Sequence, residues 1–155
     1  MTISKPSVTP ASLKKTSRST TSWTKPAAGD VLHYRYIWRY EAQQGREEGR
    51  KTRPCLVLAT SETAKGLIVH LAPITSQNFD PGDCVAVPPR VIDHLGLDPK
   101  SIIITSEYNS FVWIGPDVFP RADGTVFYGK VPERLHQQVR SEALAKRAKQ
   151  IIRTQ

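Results

Sequence analysis

RPCLVLATSETAKGLIVHLAPITS, residues 53–76, decides the fold class. Pro54 opens an apolar run over 55–60, and a second run rich in Leu, Ile and Val covers 67–74. The polar stretch between them holds Lys65-Gly66, a turn signal. Apolar, β-branched runs bounded by Pro and Gly read as strands. The second run ends abruptly in the polar side chains Thr75, Ser76 and Gln77.

Upstream, residues 31–40 are dense in aromatic and β-branched residues and read as another strand. Residues 41–52, EAQQGREEGRKT, break that pattern with charge and two glycines and read as a long surface loop. Downstream, Asp80-Pro81-Gly82 marks a turn, and 84–87 reads as a short strand. Residues 89–95 fit one or two helical turns closed by Gly96. Strands follow at 101–105, 111–113 and 125–129, the last after the turn pair Asp123-Gly124. Pro132 and Glu133 start a helix. Its apolar stripe moves from Leu135, Val139 and Ala143 to Leu144, Ala148, Ile151 and Ile152, so a bend or two helical pieces are expected up to the end. Arg140, Lys146, Arg147, Lys149 and Arg153 make that terminus basic, as a solvated helix face would be. Short strands, frequent turns and one terminal helix describe a mainly β protein built as a small barrel.

The chain has 155 residues, enough for one domain with extensions. Residues 1–28 carry Lys5, Lys14, Lys15, Arg18 and Lys25 and no acid, with little to bury; a disordered basic arm is expected there, and the barrel over 29–155. No apolar stretch approaches the roughly 20 residues of a membrane span, and the first thirty residues hold no secretory core. Cys55 and Cys84 fall in expected strands and read as two buried thiols in a reducing cytoplasm. No Cys/His cluster points to a metal, and no glycine-rich phosphate loop points to a nucleotide cofactor. The net charge of +8 favours a polyanionic partner: RNA, DNA or an acidic protein.

Three segments can carry chemistry. Arg50, Lys51 and Arg53 surround the entry into a core strand, with Arg53 braced by Pro54. A guanidinium fork matches phosphate oxygens and can stabilise charge developing at phosphorus; equally, Arg53 can be a surface residue paired with Glu47 or Glu48. Thr75, Ser76 and Gln77 can hold a phosphate or a ribose hydroxyl, or simply close a turn. Residues 105–109 form a third polar strand end, where Glu107 can orient Arg53 or accept a proton and Tyr108 can stack on a base; the alternative is a strand end with a core tyrosine. His33, His70, His94 and His136 are scattered, and no base lies beside a nucleophile.

The ordered set Gly29-Asp30-Val31, a charged glycine-containing loop, Thr52-Arg53-Pro54, Pro73-Ile74-Thr75-Ser76 and Gly129-Lys130-Val131-Pro132 before a last helix resembles the PemK/MazF toxin family over about 29–148. The resemblance implies an SH3-like barrel of the CcdB/PemK kind, a homodimer, and metal-independent endoribonuclease cleavage of single-stranded RNA, with a small antitoxin covering the RNA site. By position it implies Arg53 and Thr75 as the catalytic pair. Lys51, Ser76, Gln77, Glu107 and Asn109 are then the RNA-binding candidates, with no metal or other cofactor. Where many members carry Asp-Gln after a strand, this chain has Ser106-Glu107. Two other readings stay open: a non-catalytic RNA- or DNA-binding barrel, and a toxin of the same fold that acts on a protein.

Overall fold

The computed structural model describes residues 23–49 and 51–153. Most of the expected arm, residues 1–22, lies outside the described residues. Trp23 packs against the barrel, Pro26 is buried, and Gly29 N donates to Val57 O at 2.9 Å.

The described chain runs β1 (Asp30–Tyr34), α1 (Arg39–Gln43), β2 (Arg53–Thr63), β3 (Gly66–Thr75), β4 (Cys84–Ala86), α2 (Pro89–Leu95), β5 (Ile102–Ile104), β6 (Glu107–Val112), β7 (Phe127–Lys130), α3 (Glu133–Ala145) and β8 (Lys149–Ile152). The strand order is β4-β5-β3-β2-β1-β7, with β6 joining β3 to β8. Every pairing is antiparallel except β6 with β8. β3 joins the two parts of the sheet. One edge pairs with β2; the other pairs first with β6 at Ile68–Leu71 and then with β5 at Ile74 and Thr75. One long strand thus serves both halves of a bent sheet.

The apolar run of β2 lacks alternation because both faces of the sheet are covered. Leu56 and Leu58 join Ile74, Leu95, Leu135 and Val139 in a core under α2 and α3. Cys55 and Val57 point the other way, into a barrel interior with Tyr34, Tyr36, Val69, Leu71 and Phe111. Leu135, Val139 and Ala143, one turn apart on α3, are buried as the periodicity predicts. α2 spans the expected residues, and Gly96 closes it with φ of 69°, the left-handed conformation that glycine adopts without strain.

Several expectations need correction. The last helix ends at Ala145, and residues 149–152 form β8 instead of a second helical piece. Lys149 N donates to Ser106 O at 2.9 Å, and an open edge of β6 captures the segment; strand pairing outweighs helix propensity. Ile151 is then buried while Ile152 is exposed, the alternation of a strand. Arg153 is buried, not part of a solvated basic face. β1 stops at Tyr34 rather than reaching residue 40. The stretch read as a loop over 41–52 begins inside α1 and is pinned down: Glu41 is buried and accepts from Trp38 N at 3.0 Å, and Gly49 is buried. Residues 107–110 lie within β6 and not beyond a strand end. Cys55 is buried, but Cys84 is only half-buried.

Candidate functional site: a cleft at the barrel mouth

Strand register brings the two catalytic candidates together. Cys55 pairs with Pro73, and the same antiparallel register carried two residues further sets Arg53 against Thr75. Both lie on the interior-facing side of their strands, where the apolar column of the barrel gives way to polar groups. Arg53 is also opposite Tyr34 of β1. Both side chains line one open cleft of about 630 Å³, together with Lys51, Gln77 and Glu107. Four aromatic residues complete it: Tyr36, Trp38, Tyr40 and Phe79.

Arg53 lies with its guanidinium carbon 5.1 Å from the Trp38 ring centroid. Trp38 in turn meets Tyr36 edge-on at 5.2 Å and Phe79 nearly parallel at 6.2 Å. The Arg53 Nε is buried and has no hydrogen-bond partner among the described residues, an arrangement that costs roughly 1–3 kcal/mol in a finished protein interior. Among the described residues no ion pair joins Arg53 to Glu47 or Glu48, and the Glu48 carboxylate bonds Arg35 at 3.0 Å. Thr75 is mostly buried, and its Oγ1 accepts from Gln77 N at 3.2 Å, which leaves its hydroxyl proton free for an acceptor in the cleft. Ser76 and Gln77 are exposed. Ser76 lines an adjoining cleft of about 240 Å³ that shares Lys51, Arg53, Thr75 and Gln77 with the first.

Glu107 lines the same cleft. Its Oε1 accepts from the Tyr36 hydroxyl at 3.0 Å and from Arg39 N at 2.9 Å. Burial raises its pKa above the ordinary glutamate value, and these two hydrogen bonds pull it down by less. Burial, and then the neighbouring Glu107 charge, push the Tyr36 hydroxyl well up, so it stays a donor. Oε1 of Glu107 is thus engaged by Tyr36 and the start of α1, and Glu107 forms no ion pair with Arg53.

Asn109 is corrected from a nucleic-acid contact to a brace. It has no exposed surface; Oδ1 accepts from Ile37 N at 3.0 Å and Nδ2 donates to Ile37 O at 2.9 Å. A side chain that satisfies both backbone groups of one residue holds the segment carrying Trp38. Tyr108 lies away from this cleft, edge-on to His70 at 5.8 Å. His70 bonds Ser110 Oγ at 2.7 Å, His33 the Tyr128 hydroxyl at 2.9 Å, and His136 Nε2 donates to Leu58 O at 2.8 Å. None of the three lines the first cleft. Among the described residues no three His, Cys, Asp or Glu side chains gather as a metal-holding group.

The aromatic lining went unread in the sequence. Trp38 and Tyr40 were absorbed into an expected strand, and their signal was the Glu41 that follows Trp38 by three residues and caps α1. Phe79 had a plainer one, a single aromatic in an otherwise polar turn. Half or more of Tyr40 and a third of Phe79 are exposed, and flat faces at a basic cleft suit unstacked bases.

The site is thus an open cleft at the mouth of a small β-barrel, with a guanidinium and a hydroxyl at its floor and aromatic rings on its walls. The comparisons agree on the architecture. Two solved structures of a MazE–MazF complex from Deinococcus radiodurans, crystal forms II and III, match at a TM-score of 0.50 with 19% identity. They cover 77% of this chain and 93% and 94% of theirs. The fold is therefore MazF-like. No protein-family model and no curated protein sequence matches the chain.

Proposed function

We propose that this protein is the toxin of a toxin–antitoxin pair, a metal-independent endoribonuclease that cleaves single-stranded RNA in the cytoplasm. The observation that carries the reading is the shared cleft: Arg53 and Thr75, far apart in sequence, meet on facing strands in one groove lined by aromatic rings. The MazF-like fold supports it.

The strand lies across the mouth with its bases against Trp38, Tyr40 and Phe79, each stack worth about 1–3 kcal/mol. The Thr75 hydroxyl and the exposed Ser76 and Gln77 hold the scissile phosphate and adjoining sugar. The ribose O2′ attacks that phosphorus, so the O2′–P bond forms and the P–O5′ bond breaks, leaving a 2′,3′-cyclic phosphate. Glu107, made more basic by burial, takes the O2′ proton. Arg53 stabilises the extra charge on the phosphorane oxygens, and its N–H groups relay a proton from solvent to the departing O5′. Lys51 contributes a phosphate contact. Positioning supplies much of the rate, because Arg53 is held by Pro54, by β2 and by the Trp38 ring.

A small antitoxin with an acidic, apolar tail fits the same cleft, since its carboxylates replace phosphates and its apolar side chains replace bases. A homodimer belongs to the same reading, and exposed Leu144 on α3 and Ile152 on β8 are apolar side chains available to a second copy.

The test is purified protein incubated with defined single-stranded RNA, with and without EDTA. Cleavage to cyclic-phosphate ends that survives EDTA is expected, with Arg53→Ala slower by about 10²-fold or more. Full activity in that variant would remove Arg53 from the mechanism. RNA bound but left intact by the wild type would leave a binding barrel without catalysis.

A further inference from the structure

The groove does not end at the two adjoining clefts. The second is also lined by Tyr128, and Tyr128 lines a third cleft of about 360 Å³ with His33, Pro120, Arg121 and Asp123. Clefts one and two share Lys51, Arg53, Thr75 and Gln77; clefts two and three share Tyr128. The second and third clefts therefore meet at Tyr128, on the edge strand β7.

The far end is built from held polar groups. The Arg121 guanidinium carbon lies 4.1 Å from the Tyr128 ring centroid. Its Nη1 donates to Phe127 O at 3.1 Å and Thr125 Oγ1 at 3.5 Å, and stands 3.8 Å from Asp123 Oδ2. Asp123 is itself engaged by Thr125 N at 2.9 Å and by the Thr125 hydroxyl at 2.7 Å. Arg121 is partly exposed, and a planar guanidinium fixed over a ring is a pre-set fork for a phosphate or a flat surface for a base. The Tyr128 hydroxyl bonds His33 Nδ1 at 2.9 Å. Burial, then the Arg121 charge, hold His33 below its ordinary pKa. A neutral ring leaves Nε2 able to hydrogen-bond a sugar oxygen or base edge without adding charge.

We propose that Arg121, Tyr128 and His33 form a second nucleotide subsite, which takes the backbone phosphate and sugar of the same RNA strand beyond the scissile position. This inference rests on the RNA-binding part of the reading above, but not on cleavage. It makes affinity depend on strand length, and it assigns the extra affinity to one phosphate contact at Arg121.

The experiment uses the full chain and fluorescein-labelled 2′-O-methyl oligonucleotides, which have no O2′ nucleophile, from about three to about eight nucleotides long, within the site sizes of small barrels. Anisotropy titrations should show wild-type affinity rising with length by about tenfold, and that rise should be missing in Arg121→Gln while the shortest oligonucleotides bind both proteins alike. For the longest strand, the slope of log affinity against log salt should be shallower by about 0.7 in Arg121→Gln. Arg121→Lys should recover part of the rise. A second measurement avoids any folding defect: a wild-type complex with 4-thiouridine at one end of an eight-residue strand (about that length suffices) should cross-link to residues 120–128 after irradiation.

A length-dependent gain that persists in Arg121→Gln, or cross-links confined to other segments, would overturn the subsite. If the wild type cleaves RNA and these results go against Arg121, the nuclease reading stands and the subsite falls. If the gain is lost in Arg121→Gln but no RNA is ever cleaved, the subsite stands and the nuclease reading falls. A wild type that binds no oligonucleotide of any length sinks both.

Discussion

Arg153→Ala tests how firmly the barrel holds its cleft. Nη1 of Arg153 donates to the Tyr34 hydroxyl at 3.2 Å, to Arg35 O at 2.9 Å and to Asn109 Oδ1 at 3.1 Å. Nη2 donates to Glu47 O at 3.2 Å and to Asp117 Oδ2 at 2.8 Å. The side chain is 3% exposed, and that of Asp117 is 10% exposed. Alanine would strand the Asp117 carboxylate where burial already raises its pKa despite the arginine beside it. Removing one partner of such a buried pair costs about 3–5 kcal/mol, because the other charge stays behind. At about 2–4 °C per kcal/mol for a chain of this length, Tm should fall by about 6–20 °C. Circular dichroism melting and urea titration measure it. Arg153→Ala combined with Asp117→Asn should cost less than the sum of the two single changes, since the stranded charge is then gone. The loss should also reach the cleft: Asn109 ties Arg153 to Ile37, and Ile37 precedes Trp38. A single-variant loss below about 1 kcal/mol would show that Asp117 is hydrated and that this terminal clasp is an ordinary surface pair.

Glu107 provides a pH-linked test. Its folded pKa is raised above an ordinary value near 4.5, chiefly by burial, so the fold favours its protonated form. Its contribution to stability is complete below about 4.5 and declines as pH rises through the higher folded value. Glu107→Gln keeps an acceptor for the Tyr36 hydroxyl but removes the charge; its urea midpoint relative to wild type should therefore improve as pH rises from about 4 to about 7, and a constant difference would contradict the burial assignment. Gly49→Ala should destabilise by roughly 1–3 kcal/mol, because a Cβ there overlaps the Tyr36 carbonyl and backbone must move to admit it. Unchanged melting of that variant would mean that the 41–52 segment yields freely over the cleft.

Much of the architecture was legible because burial writes it into the chain. The apolar run at 55–60 announces β2, and the Pro89 to Gly96 spacing bounds α2 within its actual limits. Arg53 and Thr75 stood out as polar residues where apolar strands begin and end, but only the family resemblance paired them; the fold places both in one cleft. Residues 149–152 were not, because KQII carries a helical neighbour's pattern and becomes β8 only through pairing with Glu107–Ser110, forty residues or so upstream (an approximate separation typical of nonlocal pairing). Asn109 and Arg153 misled for a related reason. Polar side chains far apart in sequence look solvated until the fold joins them in one buried network. Trp38 and Tyr40 were hidden by composition: aromatic density reads the same whether the rings enter the core or face a cleft.

That division explains why the cleft sits at this end of the barrel. Residues 53, 55 and 57 of β2 and 71, 73 and 75 of β3 share the interior side, so Arg53 and Thr75 continue the core's own register one step past its apolar limit. Their backbones are fixed by sheet pairing, to Tyr34 and Ile102 respectively, so aligning a phosphate between them requires little reorganisation. Tyr40 and Phe79 come instead from a five-residue helix and an irregular turn, and both are substantially exposed. Rings on such segments can adjust to different bases at small cost. Under the proposed function, chemistry carried by strands and recognition carried by loops would let the preferred RNA sequence change while the Arg53–Thr75 pair keeps its geometry. Substitutions at Tyr40 or Phe79 should therefore shift which strands are bound before they slow the reaction of a strand once it is in place.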